Sequence, residues 1–143
     1  MLIVDISDPH NPTLIGSYPG GGTMEIVVVG QYAYLADRNT GLVIVDVSNP
    51  YTPSFVTSYA TLEKAWGVSY TQQYPDYVFV TSGEREADIG RFQIFNVADP
   101  WNPVLASYYD TPDCAWSNLV INDYAFISIL QEGLHLVEIS DLM

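Results

Sequence analysis

Leu42-Val43-Ile44-Val45-Asp46-Val47-Ser48-Asn49-Pro50 is the stretch on which the reading of this chain turns. Nearly the same residues stand at Leu2-Ile3-Val4-Asp5-Ile6-Ser7-Asp8-Pro9 and at Gln93-Ile94-Phe95-Asn96-Val97-Ala98-Asp99-Pro100. A last, partial copy is His135-Leu136-Val137-Glu138-Ile139-Ser140-Asp141. The Asp5 position therefore returns at Asp46, Asn96 and Glu138, in steps of 41, 50 and 42 residues. A second proline follows each of the first three copies (Pro12, Pro53, Pro103), and a tyrosine closes each (Tyr18, Tyr59, Tyr109). So many matches in phase define an internal repeat, and a period of this length belongs to radial or stacked arrays.

Working outward, a second block lies between the copies. Tyr32-Ala33-Tyr34-Leu35-Ala36 matches Tyr77-Val78-Phe79-Val80-Thr81 and Tyr124-Ala125-Phe126-Ile127-Ser128. Another β-like run precedes each of these: Ile26 to Val29, Gly67 to Tyr70, and Asn118 to Ile121. With Ser54 to Tyr59 as the last run, one period holds four short strands. Gly30-Gln31 and Asn122-Asp123 have the composition of tight hairpins. The Asp-Pro-x-x-Pro links combine a side chain that bonds local amides with prolines that preset φ and end a strand. No segment carries a helical apolar period.

Composition agrees. Apolar residues make up 48% of the 143, enough for a core, and 11 tyrosines with abundant Val and Ile suit half-buried strands. Acidic residues number 17 against four basic ones, Arg38, Lys64, Arg85 and Arg91, for a formal charge of -13. Replacing the counterions of a nucleic acid or an anionic membrane takes clustered cations, so both partners are disfavoured. The acidity instead suits solubility, cation binding or a basic partner. Cys114 is the only cysteine, which excludes an intrachain disulfide. No basic n-region leads an apolar stretch at Met1, and no apolar run nears the roughly 20 residues that cross a bilayer.

Four antiparallel strands per forty-odd residues describe a β-propeller blade. At this point the chain resembles the LVIVD-repeat family: Leu42-Val43-Ile44-Val45-Asp46, the Tyr-Ala-Tyr-Leu-Ala strand and the Asn-Pro-x-x-Pro turn all fit it. The resemblance extends over essentially the whole chain and implies a propeller-like, surface-associated protein, extracellular or on the cell surface. It implies nothing specific about activity. The third copy, Phe92-Gln93-Ile94-Phe95-Asn96, departs most, and the 50-residue step is assigned to an expanded polar link from Ser82 to Arg91.

The expected fold is an all-β partial propeller of a little over three blades in one domain, 1–143, with blade parts at 1–19, 24–60, 66–110 and 117–141. The order begins and ends on the third strand of a blade, giving thirteen strands. Propellers close with four to eight blades, so closure calls for further blades of a longer chain or a second copy.

Candidate functional residues sit in the loops that gather on one propeller face. Met24, Trp66 and Trp116 share one position at the entry to the first strand of their blades. A row of large side chains there stacks on a sugar or clamps a peptide, or else packs blade against blade. The adjoining loops carry Asp37 and Arg38 with Asn39, Glu84 and Arg85 with Glu86 and Asp88, and Gln131 with Glu132. The ligand-binding set is therefore Met24, Trp66, Trp116, Asp37, Arg38, Glu84 and Arg85. Such acidic loops are candidates for Ca²⁺, which takes six to eight oxygens, although no EF-hand spacing is present; otherwise no cofactor is expected. The strand-ending Asp5 and Asp46 are read as hydrogen-bonded to a neighbouring turn or blade, and the pre-proline Asp8, Asn49 and Asp99 as turn caps.

His10 and His135 form no metal pair in sequence, and there is no nucleophile elbow or phosphate loop. Gly20-Gly21-Gly22 is a flexible link because no helix follows it. The leading expectation is a non-enzymatic binding or scaffold module for a protein or glycan. The alternative is a piece of a propeller hydrolase whose catalytic groups lie partly on other blades.

Overall fold

A computed structural model describes residues 1–140 and 142; Asp141, the last residue of the fourth repeat copy, lies outside the described residues. Thirteen strands form among the described residues, in the expected order. The first sheet pairs β1 (Leu2–Asp5) with β2 (Thr13–Ser17). The second runs β3 (Thr23–Val29), β4 (Tyr32–Asp37), β5 (Gly41–Asp46) and β6 (Ser54–Tyr59). The third runs β7 (Ala65–Ser69), β8 (Tyr77–Glu84), β9 (Ile89–Asn96) and β10 (Val104–Thr111). The fourth holds β11 (Ala115–Ile121), β12 (Tyr124–Ile129) and β13 (Gly133–Glu138). Each sheet is an antiparallel meander in sequence order, and the four do not close into a ring. Every sheet is one blade, or part of one.

The turns repeat atom for atom. Asp5, Asp46 and Asn96 each accept the amide two residues on, at 2.8, 2.8 and 3.0 Å. Asp8, Asn49 and Asp99 do the same for His10, Tyr51 and Trp101. These recurring side chains are thus turn-formers, as their positions before Ser and Pro suggest. Hydrogen bonding to Ser7 and Ser48 holds the carboxyls of Asp5 and Asp46 below the ordinary value of 3.8. At the same end of the blades, Val47, Val97 and Ile139 donate to the carbonyls of Gln31, Asp76 and Asp123, tying the end of the third strand to the preceding hairpin.

Cores lie between blades, because successive side chains of a strand point to opposite faces. Tyr34, Ala36, Leu42 and Ile44 face the third blade and meet Val68, Val78, Val80 and Phe95. Ala33, Leu35, Val43 and Val45 face the other way, toward Met1 and Tyr18 of the first. Phe79, Phe92 and Ile94 meet Ala125, Ile127 and Ile129 of the fourth. Polar clamps cross the same joints. Glu25 of β3 accepts the Val68 amide at 2.9 Å, and Asn118 of β11 contacts the Ser69 hydroxyl and donates to the Phe79 carbonyl.

One expectation is corrected. The span from Ser82 to Arg91 is not a polar loop but largely strand. Ser82 pairs with Arg91, Gly83 with Gly90 and Glu84 with Ile89, leaving only a 3₁₀ turn at Arg85–Ala87 and a left-handed Asp88. The two glycines are opposed because the 111–115 link lies on them. A Cβ on Gly90 would stand 2.2 Å from the Asp113 carbonyl oxygen.

Candidate functional site

The loops that join one blade to the next lie against the loops that join second to third strands. Arg38, Gly83 and Leu130 donate their amides to the carbonyls of Gly22, Lys64 and Cys114, one such bond in each of the three later blades. The two loop sets therefore share one face, as the sequence predicts.

Met24, Trp66 and Trp116 are the unpaired residues of three equivalent β-bulges. Pairing of β3 with β4 skips Met24 between Thr23 and Glu25, that of β7 with β8 skips Trp66, and that of β11 with β12 skips Trp116. An inserted residue bends its strand and re-aims its side chain. In this fold it does so at the same rim position three times.

The rim residues meet across the blades. Arg38 lies with its guanidinium carbon 5.1 Å from the Trp66 ring centre, and the Trp66 and Trp116 rings are 4.5 Å apart with a 36° tilt. Trp66 donates its indole N–H to the Gly83 carbonyl at 2.9 Å, so it is fixed into the wall. Trp116 is 36% and Met24 47% exposed, and these two offer open surface. A cation over an indole face is attracted by the ring quadrupole, so the stack orients Arg38 without a carboxylate. Among the described residues Lys64 and Arg91 have carboxylate partners, Glu84 at 2.5 Å and Asp110 at 2.7 Å, and Arg38 has none.

Arg38 stands between two open grooves. One, of about 470 Å³, is lined by Gly20, Gly21, Gly22, Thr23, Met24 and Asn39, with Met1 at its edge. The other, of about 220 Å³, runs past Thr40, Thr61, Glu63 and Lys64. Backbone groups, hydroxyls and amides prevail in both, a lining suited to a polar ligand with one face for stacking.

The remaining candidates are placed differently. Asp37 is buried; its oxygens accept the amides of Gly22, Asn39 and Thr40, so it braces the loop that carries Arg38 rather than presenting a carboxylate. Glu84 is engaged by Lys64, which holds its carboxyl below the ordinary value. Arg85 is exposed on the 3₁₀ turn and is not part of the Trp row. Lys64, Asn39 and the Gly20–Gly22 backbone belong to the rim but are outside the ligand-binding set expected from sequence, although Asn39 stands in the same loop as Asp37 and Arg38, Gly20–Gly22 reads as a flexible link, and Lys64 is one of four cations. Among the described residues no three His, Cys, Asp or Glu side chains are grouped to hold a metal ion. Among the described residues no helix is long and apolar enough to cross a membrane.

Blades of repeated sequence, joined face to face and bulged at a common rim, define a propeller-type repeat protein. The chain belongs to the LVIVD repeat family, whose model matches residues 1–19, 20–61 and 114–142. The unmatched span, 62–113, is the third blade, whose four strands keep the order of the second. No curated protein matches the chain.

Proposed function

We propose that the chain is a non-enzymatic binding module that presents the Met24–Trp66–Trp116 rim to a protein or glycan partner, outside the cell or at its surface. The observation that carries this reading is the Arg38–Trp66–Trp116 stack beside two open polar grooves. Three equivalent bulges direct side chains to one rim, and Asp37 rigidifies the loop that carries the only cation there without an ion pair among the described residues. Aromatic and Arg side chains in such settings supply most of the energy of recognition, and a rigid rim binds with little ordering cost.

The test is a glycan array and a pulldown from surface extracts, each run with the wild type, Trp116→Ala and Arg38→Ala. Both residues are exposed enough that the variants keep their fold, checked by circular dichroism. Loss of a captured partner in both variants supports the site. A partner retained by both, or no partner in either screen, removes it.

A further inference from the structure

Two of the chain's four cations, Arg38 and Lys64, line the groove of about 220 Å³ formed by the loop between β4 and β5 and the link between β6 and β7. Lys64 is paired with Glu84, and Glu63 is exposed in the same lining. Asp37 lies buried behind the loop on three amides. An anion therefore meets less opposition here than over the rest of a chain that carries -13. Arg38 is ready for one. The Trp66 ring, not a carboxylate, sets its guanidinium, and none of its side-chain N–H groups is hydrogen-bonded to another described residue. The Asn39 side chain beside it is equally free, with its amide nitrogen over Gly22, where a Cβ would stand 2.9 Å away. The floor is fixed. Gly41 has a φ of 96°, and a Cβ there would stand 2.4 Å from the Tyr59 carbonyl oxygen and 2.6 Å from the Thr61 nitrogen.

We propose that this groove binds an acidic sugar, a uronate unit of an anionic glycan, with the Arg38 fork on the carboxylate and Asn39, Thr40 and Thr61 on the sugar hydroxyls. The inference rests on the reading of the rim as a binding surface and names the class of its ligand. A guanidinium meets a carboxylate with two parallel N–H···O bonds, and a guanidinium laid over an indole keeps those N–H groups clear of the ring. Amide and hydroxyl side chains match a sugar in kind. The Thr61 hydroxyl donates to the Glu63 carbonyl at 2.5 Å, which leaves it an acceptor for a sugar O–H. An acidic peptide fits less well, because Ala60 is the only apolar side chain among the described lining residues and offers its neighbours nothing to pack on. The fixed floor, and the loop braced by Asp37, keep the ordering cost of binding low. Glu63 gives the proposal a sign: its charge opposes a uronate and is indifferent to a neutral sugar.

Titration calorimetry on the whole chain tests this with trisaccharides of galacturonate, glucuronate and mannuronate, each beside its carboxyl-reduced neutral counterpart, and with triglutamate. At least one uronate is expected to bind, with its neutral counterpart about tenfold or more weaker, as for the loss of hydrogen bonds to a charged group. Arg38→Gln removes that difference. Glu63→Gln moves the other way and tightens the uronate several-fold relative to the neutral sugar, a gain that a merely structural role for either residue does not produce. Both side chains belong to exposed residues, and circular dichroism checks that the variants fold. The proposal is overturned if no uronate binds, if acid and neutral sugar bind alike, if triglutamate binds as tightly as the best uronate, or if Glu63→Gln weakens the acid. A protein or neutral glycan captured by the wild type and lost by Trp116→Ala still leaves the rim a binding surface in any of those cases, so the two readings fail separately.

Discussion

Glu25→Ala isolates the clamp between the second and third blades. β7 is the inner edge strand of its sheet, so one side of its backbone has no ladder partner. The amide of Val68, a residue 3% exposed, meets the Glu25 carboxylate there at 2.9 Å. Alanine removes the acceptor and leaves a buried N–H unpaired, which costs about 2–3 kcal/mol for a bond to a charged group. Glutamine keeps an acceptor oxygen at the same place. Neutral bonds are roughly half as strong as charge-assisted ones, so Glu25→Gln loses about 1 kcal/mol. For a chain of this size 1 kcal/mol moves the melting temperature by roughly 3 °C, separating wild type, Gln and Ala in a thermal melt at fixed protein concentration. Hydrogen exchange supplies the local readout, in which the Val68 amide accelerates selectively in the Ala variant. Equal losses in both variants, or an Ala loss below about 0.5 kcal/mol, the range of an ordinary surface substitution, would refute the clamp.

Other expectations follow from the packing and the titrating groups. Phe79 is fully buried, parallel to Phe92 at 6.0 Å and edge-on to Tyr74 at 6.4 Å, so Phe79→Ala costs about 3–5 kcal/mol in urea unfolding. The carboxyls of Asp5, Asp46 and Asp99 are held below 3.8 by turn hydrogen bonds. Their stabilisation is complete above the unfolded value and is lost as pH falls through the lower folded ones. NMR titration shows midpoints under 3.8 for all three, while the Asn96 turn does not titrate. Cys114 is buried and its thiol is pushed up to about 11. Native protein at pH 8 therefore stays unmodified by a thiol reagent until it unfolds. The unfolded thiol ionises first as pH rises past 9, so stability erodes between there and about 11.

Strand number, order and turns were legible in the sequence because each is written in local chemistry that recurs: Asp or Asn before proline, a glycine or asparagine hairpin, a tyrosine at the strand end. Gly30 and Asn122, both left-handed at 58° and 53°, are one such matched pair. The extension of β8 and β9 was not legible. Ser82–Arg91 reads as a loop by composition, and its pairing depends on the 111–115 link seating on Gly83 and Gly90. The rim was half legible. The common phase of Met24, Trp66 and Trp116 marked the place, but a bulge exists only between two strands and leaves no trace in one. Asp37 looks like any loop acid until the Gly22 link closes over it. Glu25 did leave a mark, a single acid inside Thr23-Met24-Glu25-Ile26-Val27-Val28-Val29, which its clamp to Val68 explains.

The placement of the cores between sheets rather than within them has a mechanical consequence. A blade of this chain holds only half of each core it contributes to, so its stability belongs to its borders. Opening the fourth blade breaks one border, whereas opening the third breaks two, against Tyr34 and Ile44 on one side and against Ala125 and Ile127 on the other. The slowest-exchanging amides are then those of β8 and β9, in a blade with a packed border on each face.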